Sequence, residues 1–296
     1  MQSLFFRRFI KKRAVGAFSL QRKIFKKRVA QLELLYRPFE VDKNPPVWGK
    51  KHTKRINNDN FRADSVFVWQ KRNYKREQIF QSFKIVQAMD KGKLLDHLQE
   101  TGEYCVETFY FEGRKISRDI MDSTLELNFL SEYLSTPLER VLDIGAGYGR
   151  FASRILECNL AKEVVCIDAI PISTATSEIY LASKIKDKKA YVLGLHERDE
   201  LLGKKFDLAV NIHSFPEMSL IEVDYWARQL RRLGIEWLFV VPNGSNLSLN
   251  DGTDFESVLL NHGYKVHTSR DKYSIGDCNT GLFYPAKYFL LKAFQI

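Results

Sequence analysis

The chain has 296 residues, 45% of them hydrophobic and 28% charged, which is the composition of a soluble globular protein with one large domain and an appendage, or two domains of ordinary size. Its net charge of +10 sits at one end: residues 1–32 hold ten basic side chains and no acid, and the remaining 36 basic residues meet 36 acidic ones. A neutral body gives no support for a nucleic-acid footprint, so nucleic acid is not an expected partner, and no apolar stretch approaches the roughly 20 residues that span a bilayer.

Three regions follow in chain order. The first, 1–30, is a basic amphipathic tail. Arg7, Arg8, Lys11, Lys12 and Arg13 interleave with Phe5, Phe6, Phe9 and Ile10, and Arg22, Lys23, Lys26, Lys27 and Arg28 with Phe18, Leu20, Ile24, Phe25 and Val29. That pattern suits a cationic helix on an anionic membrane surface, or a solvated tail. The return of basic residues at 22–28 argues against a secretory signal, and the Lys-rich, Ser-poor composition against a mitochondrial presequence. The second region, 31–115, is an accessory part, mainly helical. It opens with turns at Asn44-Pro45-Pro46 and Asn57–Asn60, then predicts helices over 74–89 and 94–101. Phe61, Phe67, Trp69, Tyr74, Phe80 and Phe83 are candidate core.

The third region, 116–296, alternates between strand and helix. Strands are predicted over 140–146, 163–169, 190–195, 206–212, 237–242, 264–268 and 288–294. Helices are predicted over 150–158, 173–185, 220–233 and 255–262. Continuous apolar strands separated by helices imply a mostly parallel sheet covered on both faces. No helix separates the last two strands, so one of them should run antiparallel. Cys105, Cys158, Cys166 and Cys278 form no C-x-x-C pair, which fits a reducing, cytoplasmic setting better than a disulfide framework or a zinc site.

The first strand of the alternation runs into Asp143-Ile-Gly-Ala-Gly-Tyr-Gly149. Glycines let the backbone turn sharply and approach a ligand where a Cβ would clash. A dinucleotide loop would place glycine or alanine at position 150, and this chain has Arg150. The second strand ends at Asp168, 23 residues after Gly145, where an acid can accept both ribose hydroxyls of a bound nucleoside. The D-x-G-x-G-x-G pattern resembles the first motif of class I S-adenosylmethionine methyltransferases. The resemblance implies a Rossmann-like α/β fold with a mostly parallel seven-stranded sheet, and S-adenosylmethionine as cofactor. Asp143, Gly145, Ala146, Gly147, Asp168, Ala169 and Asn211 are then the candidate cofactor residues. The cofactor carries an ammonium and a sulfonium but no phosphate, so a carboxylate is welcome beside it.

In that fold the end of the fourth strand faces the transferred methyl group, which brings Asn211, His213 and Glu217 to the reaction. The [DN]-P-P-[YF] motif of many nucleic-acid amino-group methyltransferases is absent. Transfer to oxygen needs a hydroxyl deprotonated as it attacks, and histidine is the usual side chain for that at neutral pH. His213 is therefore the candidate general base. Glu217 is expected to orient it, bind a sugar hydroxyl or cap the next helix.

Five stretches resemble the sugar O-methyltransferases of bacterial glycan pathways: residues 60–70, Ile116–Ser123, 141–150, Asn211–Phe215 and Val241-Pro242-Asn243. The likeness covers about 57–273, and departs from the family near Phe215–Met218 and in the tail. It implies transfer to a sugar hydroxyl, without a metal, which fits a surface glycan or its precursor as acceptor. The expected location is cytoplasmic, or peripheral at the inner membrane face through the basic tail. The likeness also implies that Ser117, Arg118, Asp119 and Asp122 line the acceptor side. Independently, Ser117 suits a helix N-cap with Asp119 in the first turn. Two other readings compete: an RNA methyltransferase whose tail contacts phosphates, and a non-catalytic member that only binds cofactor. Intact Asp143, Gly145, Gly147 and Asp168 weigh against the last.

Overall fold

The computed structural model describes residues 21–39, 48, 50–63, 75–187, 189–272 and 286–294. Expectations placed on residues 1–20, on Phe67, Trp69 and Tyr74, and on Cys278 lie outside the described residues. Among the described residues no helix is long and apolar enough to cross a membrane.

Residues 21–36 are helical (α1), so this helix runs through position 30, where composition ends the tail. The second basic cluster thus lies on a packed helix. Phe25, Leu32 and Tyr36 are buried, while Ile24 and Leu34 face outward. Arg22 pairs with Asp59, and Arg28 holds Glu178 at 2.6 Å. Helix α2 (Arg76–Met89) buries Ile79, Phe83 and Val86, one stripe at helical spacing. Residues 94–101, expected as a helix, form only the 3-10 turn Leu94–Asp96. Asp90 takes the amides of Leu94 and Leu95, and Glu100 at the far end turns inward to Arg62 and Ser117. A two-residue turn, Glu112-Gly113, with both residues in the left-handed region, joins β1 (Phe109–Phe111) to β2 (Arg114–Ile116). Helix α3 (Arg118–Tyr133) follows, and the Ser117 hydroxyl caps it by accepting from the Ile120 amide at 3.2 Å.

From Leu138 the chain builds the expected alternation: β3 (Leu138–Ile144), α4 (Arg150–Glu157), β4 (Ala161–Asp168), α5 (Pro171–Lys184), β5 (Ala190–Gly194), β6 (Leu208–Ile212), α6 (Leu220–Arg232), β7 (Trp237–Val241), α7 (Glu256–Asn261), β8 (Tyr264–Asp271) and β9 (Lys287–Ala293). The strands form one sheet in the order β5-β4-β3-β6-β7-β9-β8. β3 to β7 are parallel, and β9 runs antiparallel between β7 and β8. This is a Rossmann-like, mostly parallel seven-stranded sheet. Alternate residues feed two cores. Val141, Val164, Val210 and Phe239 meet α3, α4, α5 and the N-terminal region, while Leu142, Val165, Ala209 and Leu238 meet α6 and α7. The order reverses between β3 and β6, and the crevice at their carboxyl ends is where such sheets bind ligands.

A buried charge network joins the N-terminal region to this sheet. Arg62 meets Glu100 and Asp119, each at 2.8 Å. Arg154 of α4 meets Asp119 at 3.0 Å and Glu157 at 2.8 Å. Burial works to raise the Asp119 carboxyl, but Arg154 and Arg62 outweigh it and hold the group well below the usual carboxylate range. Removing one partner leaves buried charge uncompensated. Arg62→Ala should therefore cost about 3–5 kcal/mol, read as a lower denaturant midpoint. A variant as stable as the parent would mean that the network contributes nothing.

Candidate active site

The glycine loop leaves the end of β3 with Gly145, Gly147 and Gly149 all at positive φ. Gly145 N donates to Ile167 O at 2.8 Å, which ties the loop to β4. A Cβ on Gly145 would lie 2.1 Å from Ser214 Oγ, so the loop after β6 rests directly on this glycine. At the foot of the loop Asp143 is 2% exposed, and its Oδ2 has no hydrogen-bond partner among the described residues. Burial pushes this carboxyl up to about 7, against the opposing pull of Arg150.

Asp168, at the end of β4, accepts from Gly147 N at 2.9 Å through Oδ2 and from Ile170 N at 2.7 Å through Oδ1. Burial raises it to about 7 as well, and those two bonds oppose the rise. Each oxygen keeps a lone pair for a further donor. Ala169 beside it is exposed. Arg150, the residue that breaks the dinucleotide pattern, forks onto Glu126 at 2.7 and 3.0 Å and donates to Ser123. Its side chain thus clamps α4 to α3.

Asn211 is fully buried and engaged at both ends of its amide. Nδ2 donates to Ile144 O at 3.0 Å, and Oδ1 accepts from Phe215 N at 2.7 Å. It joins the ends of β3 and β6 and sets the turn that carries His213. That turn holds His213 at φ 63, an uncommon conformation for a residue with a side chain, and its amide donates to Val241 O at 2.7 Å. His213 Nδ1 lies 3.0 Å from Asn243 Oδ1. Because Asn243 donates its Nδ2 to Asn250 Oδ1, it turns an acceptor toward the histidine. Nδ1 therefore carries the proton, and Nε2 is left with its lone pair. Burial first, then the charge of Lys272, lowers His213 to about 3.

Two expectations are corrected by these contacts. Glu217 neither orients His213 nor caps α6. Asn243 does the first and Ser219 the second, with Glu222 closing the capping box. Glu217 instead accepts from Trp48 Nε1 at 2.5 Å, and burial raises its carboxyl to about 7. Asp119 was expected beside the acceptor with Arg118 and Asp122. Its carboxylate is taken by Arg62, Arg154 and the Tyr148 hydroxyl on the inner side of α3. Arg118 and Asp122 do lie together: Arg118 Nε is 3.5 Å from Asp122, and Lys272 Nζ is 2.9 Å from it. Burial works to raise Asp122, but Lys272 and then Arg118 hold it well below the usual range.

Asn243 and Lys272 escaped the residue-level reading. Asn243 stood in a quoted stretch at the end of the strand beside β6, which is a signal. Lys272 is a single lysine after a strand and carried none. Among the described residues no group of three His, Cys, Asp or Glu is placed to hold a metal.

No protein-family model matches the chain, and no curated protein does. Solved structures with related architecture include an S-adenosylmethionine-dependent methyltransferase from Leishmania major, 17% identical, covering 59% of this chain and 72% of that one at a TM-score of 0.47. Another, from Clostridium acetobutylicum, is 14% identical and covers 58% of this chain and 91% of that one at 0.43. TrmK of M. capricolum, bound to S-adenosylhomocysteine, is 10% identical and covers 57% and 68% at 0.40.

Proposed function

We propose that the chain is an S-adenosylmethionine-dependent O-methyltransferase whose acceptor is a sugar hydroxyl. The observation that carries the reading is the buried Asp143 carboxylate, with an unsatisfied oxygen at the foot of a glycine loop and a neutral histidine beside that loop. An unpaired buried carboxylate is costly unless a ligand meets it, and a cationic amino-acid moiety does so. Gly145, Ala146 and Gly147 would follow the methionine half, while Asp168 and Ala169 would take the ribose. When bound, S-adenosylmethionine supplies an electrophilic methyl group on positively charged sulfur. His213 Nε2 receives the proton of the attacking hydroxyl, Asn243 fixes the imidazole tautomer and Asn211 fixes the turn.

Methyl-labelled cofactor incubated with the protein, a panel of sugars and RNA tests the acceptor. Label in a sugar O-methyl group supports the reading. Label in RNA would replace the acceptor and leave the cofactor in place.

The cofactor has its own test. An ammonium beside Asp143 favours the ionised form, so binding below about pH 7 must release the proton that the carboxyl holds. Affinity for S-adenosylhomocysteine should therefore rise from about pH 5 to pH 7 and level off above, at up to tenfold per pH unit. Asp168 shifts in the same direction and shares the effect. Asp143→Asn should remove part of the rise and weaken binding by about 10- to 100-fold, the loss of a charge-assisted contact. Calorimetric titration across that range decides it. A flat profile with unchanged affinity in the variant would separate Asp143 from the cofactor.

A further inference from the structure

Three contacts bring the accessory region onto the carboxyl end of the sheet. Tyr36, the last residue of α1, meets Thr174 Oγ1 at 2.8 Å, and that hydroxyl is also 3.3 Å from Asp168 O. Arg28 ties α1 to Glu178, one helical turn further along α5. The Phe39 ring lies 4.3 Å from the guanidinium of Arg198, in the 3-10 stretch Leu195–Leu201 that follows β5. Trp48 Nε1 donates to Glu217, in the turn after β6. The strands so reached are β4, β5 and β6, and β3 stands between β4 and β6. Residues of the accessory region thus flank Asp168 and the glycine loop of β3 on both sides. Glu217 is tied to that loop as well: its amide donates to Ser214 O at 2.9 Å, and Ser214 rests on Gly145. The charge of Asp168 acts on both Tyr36 and Glu217, so both side chains lie near it.

These neighbours have the chemistry of a nucleoside site. A purine is a flat apolar body with a polar edge, and an aromatic face suits it. Beside Asp168, Ala169 is exposed and Ile170 partly so, which presents apolar surface to a base. Around it stand Tyr36, Trp48 and His196. The His196 imidazole lies 5.9 Å from the Tyr36 ring and rests on Gly194, the residue paired with Asp168 in the sheet. Gly194 has φ −68, which any side chain tolerates, but a Cβ there would fall 2.4 Å from His196 Cε1. That glycine makes room for a ring. We propose that the accessory region completes the cofactor site: Trp48, held by Glu217, stacks on the adenine, and Tyr36, held by Thr174, closes the ribose side. This rests on the S-adenosylmethionine reading above. The nucleoside is then enclosed between the accessory region and the sheet, and it leaves only when Trp48 parts from Glu217.

Fluorescence of the full chain with S-adenosylhomocysteine, at equilibrium and by stopped flow, tests this. Of the other described tryptophans, Trp226 is buried under α6 and Trp237 begins β7, at the end away from the crevice. Ligand should therefore change the emission through Trp48. Trp48→Phe should abolish that change while calorimetry still detects binding. Trp48→Ala should weaken binding about 10- to 100-fold, the usual value of a base stacked on an aromatic ring, and speed dissociation by a similar factor. Glu217→Ala, which removes the carboxylate and keeps the indole, should also speed dissociation. It carries the test should Trp48→Ala fail to fold. An emission change that persists in Trp48→Phe, or dissociation unchanged in the alanine variants, overturns the inference. Failure of the wider reading looks different, because the wild-type chain would then not bind S-adenosylhomocysteine at all, and this inference would fall with it.

Discussion

Gly145→Val is expected to abolish binding of S-adenosylhomocysteine. Two effects combine at this position. Gly145 has φ 72, where a β-branched residue is strained by about 1–3 kcal/mol. Its new Cβ would also fall 2.1 Å from Ser214 Oγ and 2.3 Å from Ser214 Cβ, so the two loops must part. Ser214 adjoins His213, and the cradle and the base are displaced together. Gly203→Val is the control. Gly203 has φ 79 but meets nothing within 4 Å, so it isolates the backbone strain. That variant should lose stability and keep its affinity. Wild-type affinity in Gly145→Val, measured by calorimetry, would mean that the loop is not the cofactor's cradle.

His213→Ala should lower the methyl-transfer rate by about 10²–10⁴, the usual contribution of a positioned base. Affinity for S-adenosylhomocysteine should stay within a few fold, since no cofactor contact is assigned to the imidazole. The base works unprotonated, so activity is lost as pH falls through its pKa. In the free protein that lies at about 3, so with S-adenosylmethionine kept saturating kcat/KM for the acceptor should hold on the acid side until well below the range where an ordinary histidine fails. Asn243→Ala should keep the protein folded and lower the rate less, by freeing the tautomer. Near-normal turnover in His213→Ala would move the base elsewhere.

The parallel sheet was legible because strands buried on both faces read as continuous apolar runs. The predicted strand over 140–146 and the observed Leu138–Ile144 differ mainly where the apolar run continues into the glycine loop. Helix α3 was harder to see. Its buried face carries Ser123, Thr124, Glu126 and Asn128, which mask the 3.6-residue period. The hairpin at Glu112-Gly113 lacks the Asn-Gly or Asp-Gly pair that announces such a turn. In the site, Asp143, Gly145, Asp168 and His213 could be read because strand ends and glycine spacing are local. The partners of Asp119, Glu217 and Asp122 are set by contacts between segments far apart in the chain, and no local pattern records that Trp48 reaches Glu217 or Lys272 reaches Asp122.

The buried charge network has a consequence for how the chain is made. Arg62 and Glu100 leave the ribosome before Asp119, and Arg62 precedes Arg154 by about 5–20 seconds at ordinary synthesis rates. In that interval Arg62 and Glu100 have only each other, because Asp119 and Arg154 are not yet outside. A shortened chain that starts at residue 116 inherits the opposite fault: Asp119 and Arg154 arrive with Arg62 and Glu100 missing. Neither portion holds the whole network alone, so the accessory region and the sheet are made in sequence but their shared charges are matched together.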